Sequence, residues 1–285
     1  MKKKRIRRME RWKQAQSSEK AFWEESFGKG EEAFCNMCMK LYQYYNNILS
    51  RNNIITNGKK LLDVGSGPFS LLSVFPGELK IALDPLMDYF KTKVPEQFYI
   101  DNNITPINAS GERLQYDDKY FDLICCINTL DHADKPKELL KEVNRCLKDD
   151  GYFLLSLNHY AWPIVCYKKC IESIGFGDLN HPHTYHINTV KSLLADNGFK
   201  IIDFQERNTP EIVEKIRAAG GDIFISNTSV RDRISRAAKL NGWGHVIKQA
   251  IAAPGLLIVN KLFKTYPDSI ILCRKERETS QCQKI

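Results

Sequence analysis

Residues 61–70 read LLDVGSGPFS: an apolar run that closes on an aspartate, then two glycines one residue apart, then a proline. The run has the composition of a buried strand, and Gly65 and Gly67 give the turn behind it enough backbone freedom for a ligand to approach closely. A dinucleotide-binding turn would want a third glycine at position 70, where this chain has Ser70. That weakens a pyrophosphate reading and leaves the aspartate to be explained.

The stretches around the turn alternate in character. KKLLDV (59–64), LKIALD (79–84), YFDLICCIN (120–128), YFLLSLN (152–158) and SIILCRK (269–275) are strand candidates, and SLLSVF behind the glycines reads as a short helix offering free amides. KPKELLKEVNRCLKDDG (135–151) carries Leu139, Leu140, Val143 and Leu147 at helical spacing, with Gly151 as its stop. TVKSLLADNGFKIIDFQE (189–206) repeats helix, Asn-Gly stop and strand. This alternation predicts an α/β fold with a doubly wound, Rossmann-like, mostly parallel sheet. Residues 1–55 stand outside it as helices, with apolar side chains at helical spacing in AFWEESF and EEAFCNMCMKLYQYYNNIL, a flank or lid over the sheet. Residues 209–266 are a second exception, a helical insertion before the last strand.

A chain of 285 residues suffices for one elaborated domain, and 43% hydrophobic against 27% charged residues excludes the disordered and fibrous classes. Six basic side chains of a chain with net charge +8 fall in the opening MKKKRIRR. Such an arm reads as a solvated, disordered tail, with attraction to nucleic acid or an anionic membrane as the alternative. No apolar core follows it, so it is not a secretory signal. The run AIAAPGLLIV (250–259) is interrupted by Pro254-Gly255 and falls short of the ~18 residues a membrane span needs. Nine scattered cysteines, including the adjacent Cys125-Cys126 in an apolar strand, fit a reducing cytosol. Cys35-x-x-Cys38 and Cys166-x-x-x-Cys170 lack a second pair at knuckle spacing, so no metal is expected.

In a doubly wound sheet, ligands bind beyond the carboxyl ends of the strands where strand order reverses. Asp84 ends the second strand about twenty residues after the first, where an acid can accept both hydroxyls of a ribose. With no phosphate to hold, Asp63 beside the glycines suits a positively charged, amino-acid-like ligand.

Here the sequence resembles the class I S-adenosylmethionine-dependent methyltransferases, especially the small-molecule branch. LLDVGSGPFS is similar to their first motif and ALDPL (82–86) to their second. Residues 109–158, from ASGERLQYDD to YFLLSLN, follow their acid-x-E-x-L-P-F, F-D, Glu-His and L-K-P-G-G succession. The resemblance covers residues 56–206 and the last strand, and implies that this last strand is antiparallel. It also implies S-adenosyl-L-methionine as cofactor, with S-adenosyl-L-homocysteine as product. Gly65, Ser66 and Gly67 would line the methionine moiety, with Asp63 reaching its ammonium group directly or through water. Asp84 would hold the ribose, Leu86 would pack on the adenine, and Ser110, Gly111 and Glu112 would border that ring, with an amide from Gly111. The backbone of Asn128 would face the methionine end. Ser110 departs from the family's usual acid, Phe69 from a frequent third glycine, and Asp131-His132 from Glu-His. Plainer alternatives exist: Asp63 can cap the turn, Asp84 can open an Asp-Pro turn, Ser110 and Gly111 can be loop residues, and His132 can be structural.

The expected organisation is therefore a basic arm and helical flank or lid (1–55), a cofactor-binding core (56–208), a helical insertion (209–266) and the last strand with its tail (267–285). An activated sulfonium asks the protein chiefly for alignment of the acceptor, although a hydroxyl acceptor benefits from a base. His159, after the fifth strand, is the candidate catalytic base or acceptor contact, against a structural role. His181, His183, Tyr185 and His186 lie nearby in HPHTYHIN, where a His-x-His-x-x-His spacing lacks the carboxylate or cysteine a metal site would add. In the insertion, Ile234, Ala238, Trp243, Val246, Ile247, Ala250 and Ile251 recur at helical spacing, opposite Arg231, Arg233, Arg236, Lys239 and Lys248. That stripe reads as an amphipathic cover or dimer contact, or, over 231–263, as an element on an anionic bilayer delivering a lipid-linked acceptor. The expected enzyme transfers methyl to oxygen or nitrogen of a small-molecule or glycan/lipid-linked acceptor, in the cytoplasm or at the inner membrane face. The alternatives are an RNA methyltransferase and an inactive cofactor-binding scaffold; nucleic acid is disfavoured for want of a stacking-rich module.

Overall fold

Among the described residues, seven short runs pair into one sheet. A computed structural model describes residues 2–28, 31–173, 182–206 and 268–276. In chain order its elements are α1 (Lys2–Phe27), α2 (Glu31–Arg51), β1 (Lys60–Val64), a 3-10 turn (Leu71–Val74), β2 (Leu79–Asp84), α3 (Met87–Phe90), α4 (Glu96–Asp101), β3 (Ile104–Asn108), β4 (Phe121–Ile127), α5 (Pro136–Cys146), β5 (Leu147–Asn158), α6 (Trp162–Ser173), α7 (Ile187–Asp196), β6 (Phe199–Glu206) and β7 (Asp268–Lys275). The strand order is β3-β2-β1-β4-β5-β7-β6. The first five strands run parallel, and β7 is antiparallel to both its neighbours, as the resemblance implied.

The period-two alternation of the strands divides the core into two layers. On one face Leu61, Leu123, Leu154 and Leu272 pack with Tyr45, Ile48 and Leu49 of α2 and with Phe69 and Phe75 around the 3-10 turn. On the other, Leu62, Ile124, Phe153 and Ile271 pack with Leu140 and Val143 of α5 and Val190 and Leu194 of α7. Cys125 and Cys126 enter opposite layers, both fully buried as small hydrophobes. The carboxyl end of α2 is tied to β6 where Arg51 and Asn52 donate to Asp203 at 2.8 and 2.6 Å.

Four expectations change. The basic arm is not a tail, because α1 is helical from Lys2. The helix expected over 135–151 stops at Cys146, and Gly151 lies inside β5. Leu147 turns extended to pair with Phe121, and the ammonium of Lys275 donates to the carbonyls of Asn144 and Leu147, 2.8 Å each, doing at this helix end what a glycine cap would do. The short helix behind the glycines is a single 3-10 turn whose first amides are already taken, as shown below. β3 carries Pro106, which removes a ladder donor; it is tolerated because β3 is the edge strand, and it hid the strand from pattern reading. The insertion 209–266, with its amphipathic stripe, and His181 lie outside the described residues. Among the described residues no helix is long and apolar enough to cross a membrane.

Candidate functional site

The order of the strands reverses between β1 and β4, so the loops that follow β1, β2, β3 and β4 converge at one edge of the sheet. The turn after β1 is built around two left-handed glycines, Gly65 at φ 69° and Gly67 at φ 62°. A β-carbon on Gly65 would fall 2.1 Å from the γ-methyl of Thr129 in the loop after β4, so only glycine lets these loops meet. The amide of Gly65 donates to the carbonyl of Leu83 at 2.7 Å, and Thr129 Oγ1 donates to the carbonyl of Gly65 at 3.1 Å. Tyr99 Oη donates to the carbonyl of Pro68 at 3.0 Å, and Tyr42 Oη to that of Phe69.

Two buried aspartates flank this turn. Asp63 Oδ2 accepts from Ser70 Oγ at 2.7 Å and from the amide of Leu71 at 3.0 Å, while Ser70 Oγ accepts from the amide of Leu72 at 3.2 Å. The capping alternative thus holds for one oxygen of Asp63, and it takes the amides that a helix start would otherwise offer. The other oxygen, Oδ1, is buried and has no hydrogen-bond partner among the described residues. Asp84 stands at the carboxyl end of β2, its Oδ2 accepting from the amide of Gly67 at 3.0 Å and its Oδ1 from that of Leu86 at 2.7 Å. Burial pushes the Asp63 carboxyl up to about 6 and the Asp84 carboxyl up to about 7, against the pull of these hydrogen bonds.

The third and fourth loops complete the edge. A β-carbon on Gly111 would lie 2.4 Å from Val64 Cγ1, so the β3–β4 loop touches β1 there only as glycine. Ser110 Oγ donates to Glu112 Oε2, and Glu112 Oε1 accepts from the amides of Asp134 and Lys135 at 2.8 and 3.3 Å. The carboxylate of Glu112 therefore clamps the entry to α5. Asn128 follows β4 at φ 51°, its amide donating to the carbonyl of Ser156 at 2.8 Å and its Oδ1 accepting from Ser156 Oγ at 3.2 Å. Ser66 is buried with Oγ donating to the carbonyl of Gly67 at 3.1 Å, and Leu86 is half-buried beside α3.

A helical flank or lid was expected over 1–55, but not which residues of α1 meet the glycine turn. A β-carbon at Gly67 would meet the indole of Trp23 at 3.3 Å, and that indole also lies edge-on to Phe90. Trp23 Nε1 donates to Glu19 Oε1 at 3.0 Å, and Glu19 Oε2 stands 3.7 Å from His132 Nδ1. The apolar spacing of AFWEESF signalled a helix, but nothing in it signalled a landing place forty residues further on.

Among the described residues, His159, His183 and His186 each have a hydrogen-bond partner. His159 is buried, its Nε2 2.7 Å from Ser269 Oγ at the start of β7, and burial lowers it to about 4, so the ring is neutral at ordinary pH. His183 Nε2 lies 2.9 Å from the carbonyl of Ala133, and His186 Nδ1 accepts from the amide of Asn188 to cap α7. A cavity of about 120 Å³ lined by Ile54, Lys59, Asp122 and Tyr152 opens at the opposite, amino-terminal end of the strands; it is too small for a nucleoside.

A methyltransferase-domain family profile matches residues 38–203, more than half of the chain. The chain belongs to the methyltransferase family. It is 23% identical over 155 residues to the uncharacterized methyltransferase YcgJ of Bacillus subtilis, covering 53% of this chain and 61% of that protein. It is 24% identical over 180 residues to the ubiquinone/menaquinone biosynthesis C-methyltransferase UbiE of a Shewanella species, covering 52% and 68%. A crystal structure of a sarcosine dimethylglycine methyltransferase homologue from Galdieria sulphuraria superposes with TM-score 0.58 at 16% identity, over 83% of this chain and 84% of that one. In this methyltransferase fold Phe69, which departs from the family motif, and Ser70, where a dinucleotide turn would have glycine, both have structural reasons. Phe69 is a core plug between Phe27 and Phe98, and Ser70 caps the turn and anchors Asp63.

Proposed function

We propose that the chain transfers a methyl group from S-adenosylmethionine to an oxygen or nitrogen of a small-molecule or glycan/lipid-linked acceptor. The observation that carries this reading is the pair of buried acids at the glycine turn, Asp84 bonded to the amide of Gly67 and Asp63 with a buried oxygen lacking a partner. Phosphate would be repelled there, whereas an ammonium and a sulfonium would be attracted. The unpartnered Asp63 oxygen and the glycine cradle fit the methionine end, with Gly65, Ser66, Gly67 and the backbone of Asn128 around it. Each Asp84 oxygen keeps a lone pair for a ribose hydroxyl. Leu86, Ser110 and Gly111 would border the adenine, and Glu112 would hold their loop in place. When bound, the cofactor supplies an electrophilic methyl group; the chain supplies orientation and exclusion of water, with Glu19 and Trp23 of α1 acting as a lid.

His159, neutral and bonded to Ser269, would serve the acceptor as a hydrogen-bonding contact more readily than as a strong base. Residues 209–266 would cover the acceptor, and flotation of the whole protein and of a chain lacking 231–263 on anionic liposomes tests whether they also engage a membrane. Action on RNA and a scaffold without turnover remain the competing readings. Calorimetry with S-adenosylmethionine, followed by mass spectrometry of a metabolite extract incubated with an isotopically labelled methyl donor, separates them. No binding removes both enzyme readings, and binding without turnover favours the scaffold.

A further inference from the structure

Asp131, four residues beyond the end of β4, has no role in the reading above. Its residue is 2% exposed, and among the described residues its buried Oδ1 has no hydrogen-bond partner. His132 Nε2 stands 3.9 Å from that oxygen, beyond hydrogen-bond range. The main chain of the residue is fixed, with the amide of His183 donating to its carbonyl at 3.2 Å. A carboxylate oxygen so placed is costly unless a donor beyond the described residues meets it.

Its place in the sheet says which donor. If the nucleoside is held as proposed, adenine lies at the end of β3, ribose at β2 and the amino-acid end at β1, so the ligand runs along the strand ends in the order β3-β2-β1. The next strand end is β4, where Thr129 packs on Gly65 and Asp131 follows two residues later. A second substrate that approaches the methyl group must come from that side.

The geometry points to Asp131 as a catalytic residue that receives the proton of the acceptor, which is accordingly a molecule presenting an N–H or O–H to Oδ1. The inference rests on the methyl-transfer reading. The acceptor's lone pair forms the new bond to carbon while the electrons of the carbon–sulfur bond return to sulfur, leaving a neutral thioether. The acceptor's proton passes to the carboxylate, giving a carboxylic acid. The imidazole of His132 stands between Asp131 and Glu19, at 3.9 and 3.7 Å. The other titratable groups around this centre are Glu19 on α1, Glu112 in the β3–β4 loop, Cys126 on β4, and His183 and Tyr185 in the loop before α7. Burial and then the Asp131 charge push the Tyr185 phenol well above its usual value, so it stays protonated.

The test compares the full-length protein with Asp131→Asn and Asp131→Glu. S-adenosylhomocysteine affinity is measured by calorimetry, and transfer from isotopically labelled S-adenosylmethionine to a metabolite extract is followed at several pH values. Wild type should yield an N- or O-methylated product. Asp131→Asn should keep nucleoside affinity within about twofold yet lose about 100-fold or more in turnover, within the usual range for a general base. Asp131→Glu should partly restore turnover. Asp131→Asn turning over at the wild-type rate overturns the proposal. So does a product methylated on carbon alone, or no product from a wild type that binds the nucleoside. Loss of melting temperature and nucleoside affinity together in Asp131→Asn would make the residue structural and overturn it too. Failure of the wild type to bind S-adenosylhomocysteine is a different result, because it removes the methyl-transfer reading itself.

Discussion

The amide of Gly67 donates to Oδ2 of Asp84 across 3.0 Å, which makes the turn after β1 and the acid at the end of β2 one unit. Any ligand held by one is placed by the other. Asp84→Ala removes both amide contacts and the ribose acceptor. We expect S-adenosylhomocysteine affinity to fall at least tenfold, which corresponds to about 1.4 kcal/mol, in isothermal titration.

Asp63 and Asp84 make the ligand-free protein sensitive to pH with a definite sign. Their folded-state values, about 6 and about 7, lie above the usual carboxylate value of 3.8, so between these limits the folded chain holds more protons than the unfolded one. Their contribution to stability therefore declines as pH rises from about 4 to about 7, and recovers as pH falls. Ligand affinity should run the other way, because a cation prefers both acids ionised. Thermal melts without ligand and titrations with S-adenosylmethionine across pH 5.5–8 check both slopes, and Asp84→Asn should flatten each.

His159 has the opposite linkage. Its folded value near 4 lies below the usual 6.5, so the unfolded chain takes up the proton first and stability is lost as pH falls from about 6.5 towards 4. His159→Gln, which can keep a hydrogen bond to Ser269, should remove this acid limb from the melting curve.

At Gly65, an added β-carbon meets Thr129 at 2.1 Å on a backbone with φ 69°. Gly65→Ala should cost roughly 2 kcal/mol or more, through strain and overpacking combined, and should abolish nucleoside binding. A melt and a titration on the same sample measure the two effects.

Lys275→Met separates fold from site. It leaves the carbonyls of Asn144 and Leu147 without their donor, at a cost of roughly 1–3 kcal/mol, on a helix end remote from the glycine turn. Denaturant unfolding should register the loss while S-adenosylhomocysteine affinity stays unchanged.

Where a strand carries its own alternation and ends on a diagnostic residue, reading the sequence suffices: β1 and β2 were legible to within a residue, and with them the two acids. It fails where the deciding interaction is distant. Gly151 looks like a helix stop, yet Lys275, on the last strand, supplies the cap and frees Leu147 to begin β5. Pro106 disguises β3 because a proline in a strand is acceptable only at an edge, and edges are a property of the assembled sheet. Ser70 reads as a missing glycine, whereas its hydroxyl holds Asp63 in place. Glu19 and Trp23 belong to a helix with no local signal of what it covers.

The central claim is that the acidic glycine turn holds S-adenosylmethionine. Isothermal titration of the full-length protein and of Asp84→Asn with S-adenosylmethionine and S-adenosylhomocysteine tests it most directly. One nucleoside per chain with saturable heat, weakened at least tenfold by the substitution, is the expected result. No heat from either nucleoside, or equal affinity in the two proteins, would contradict it.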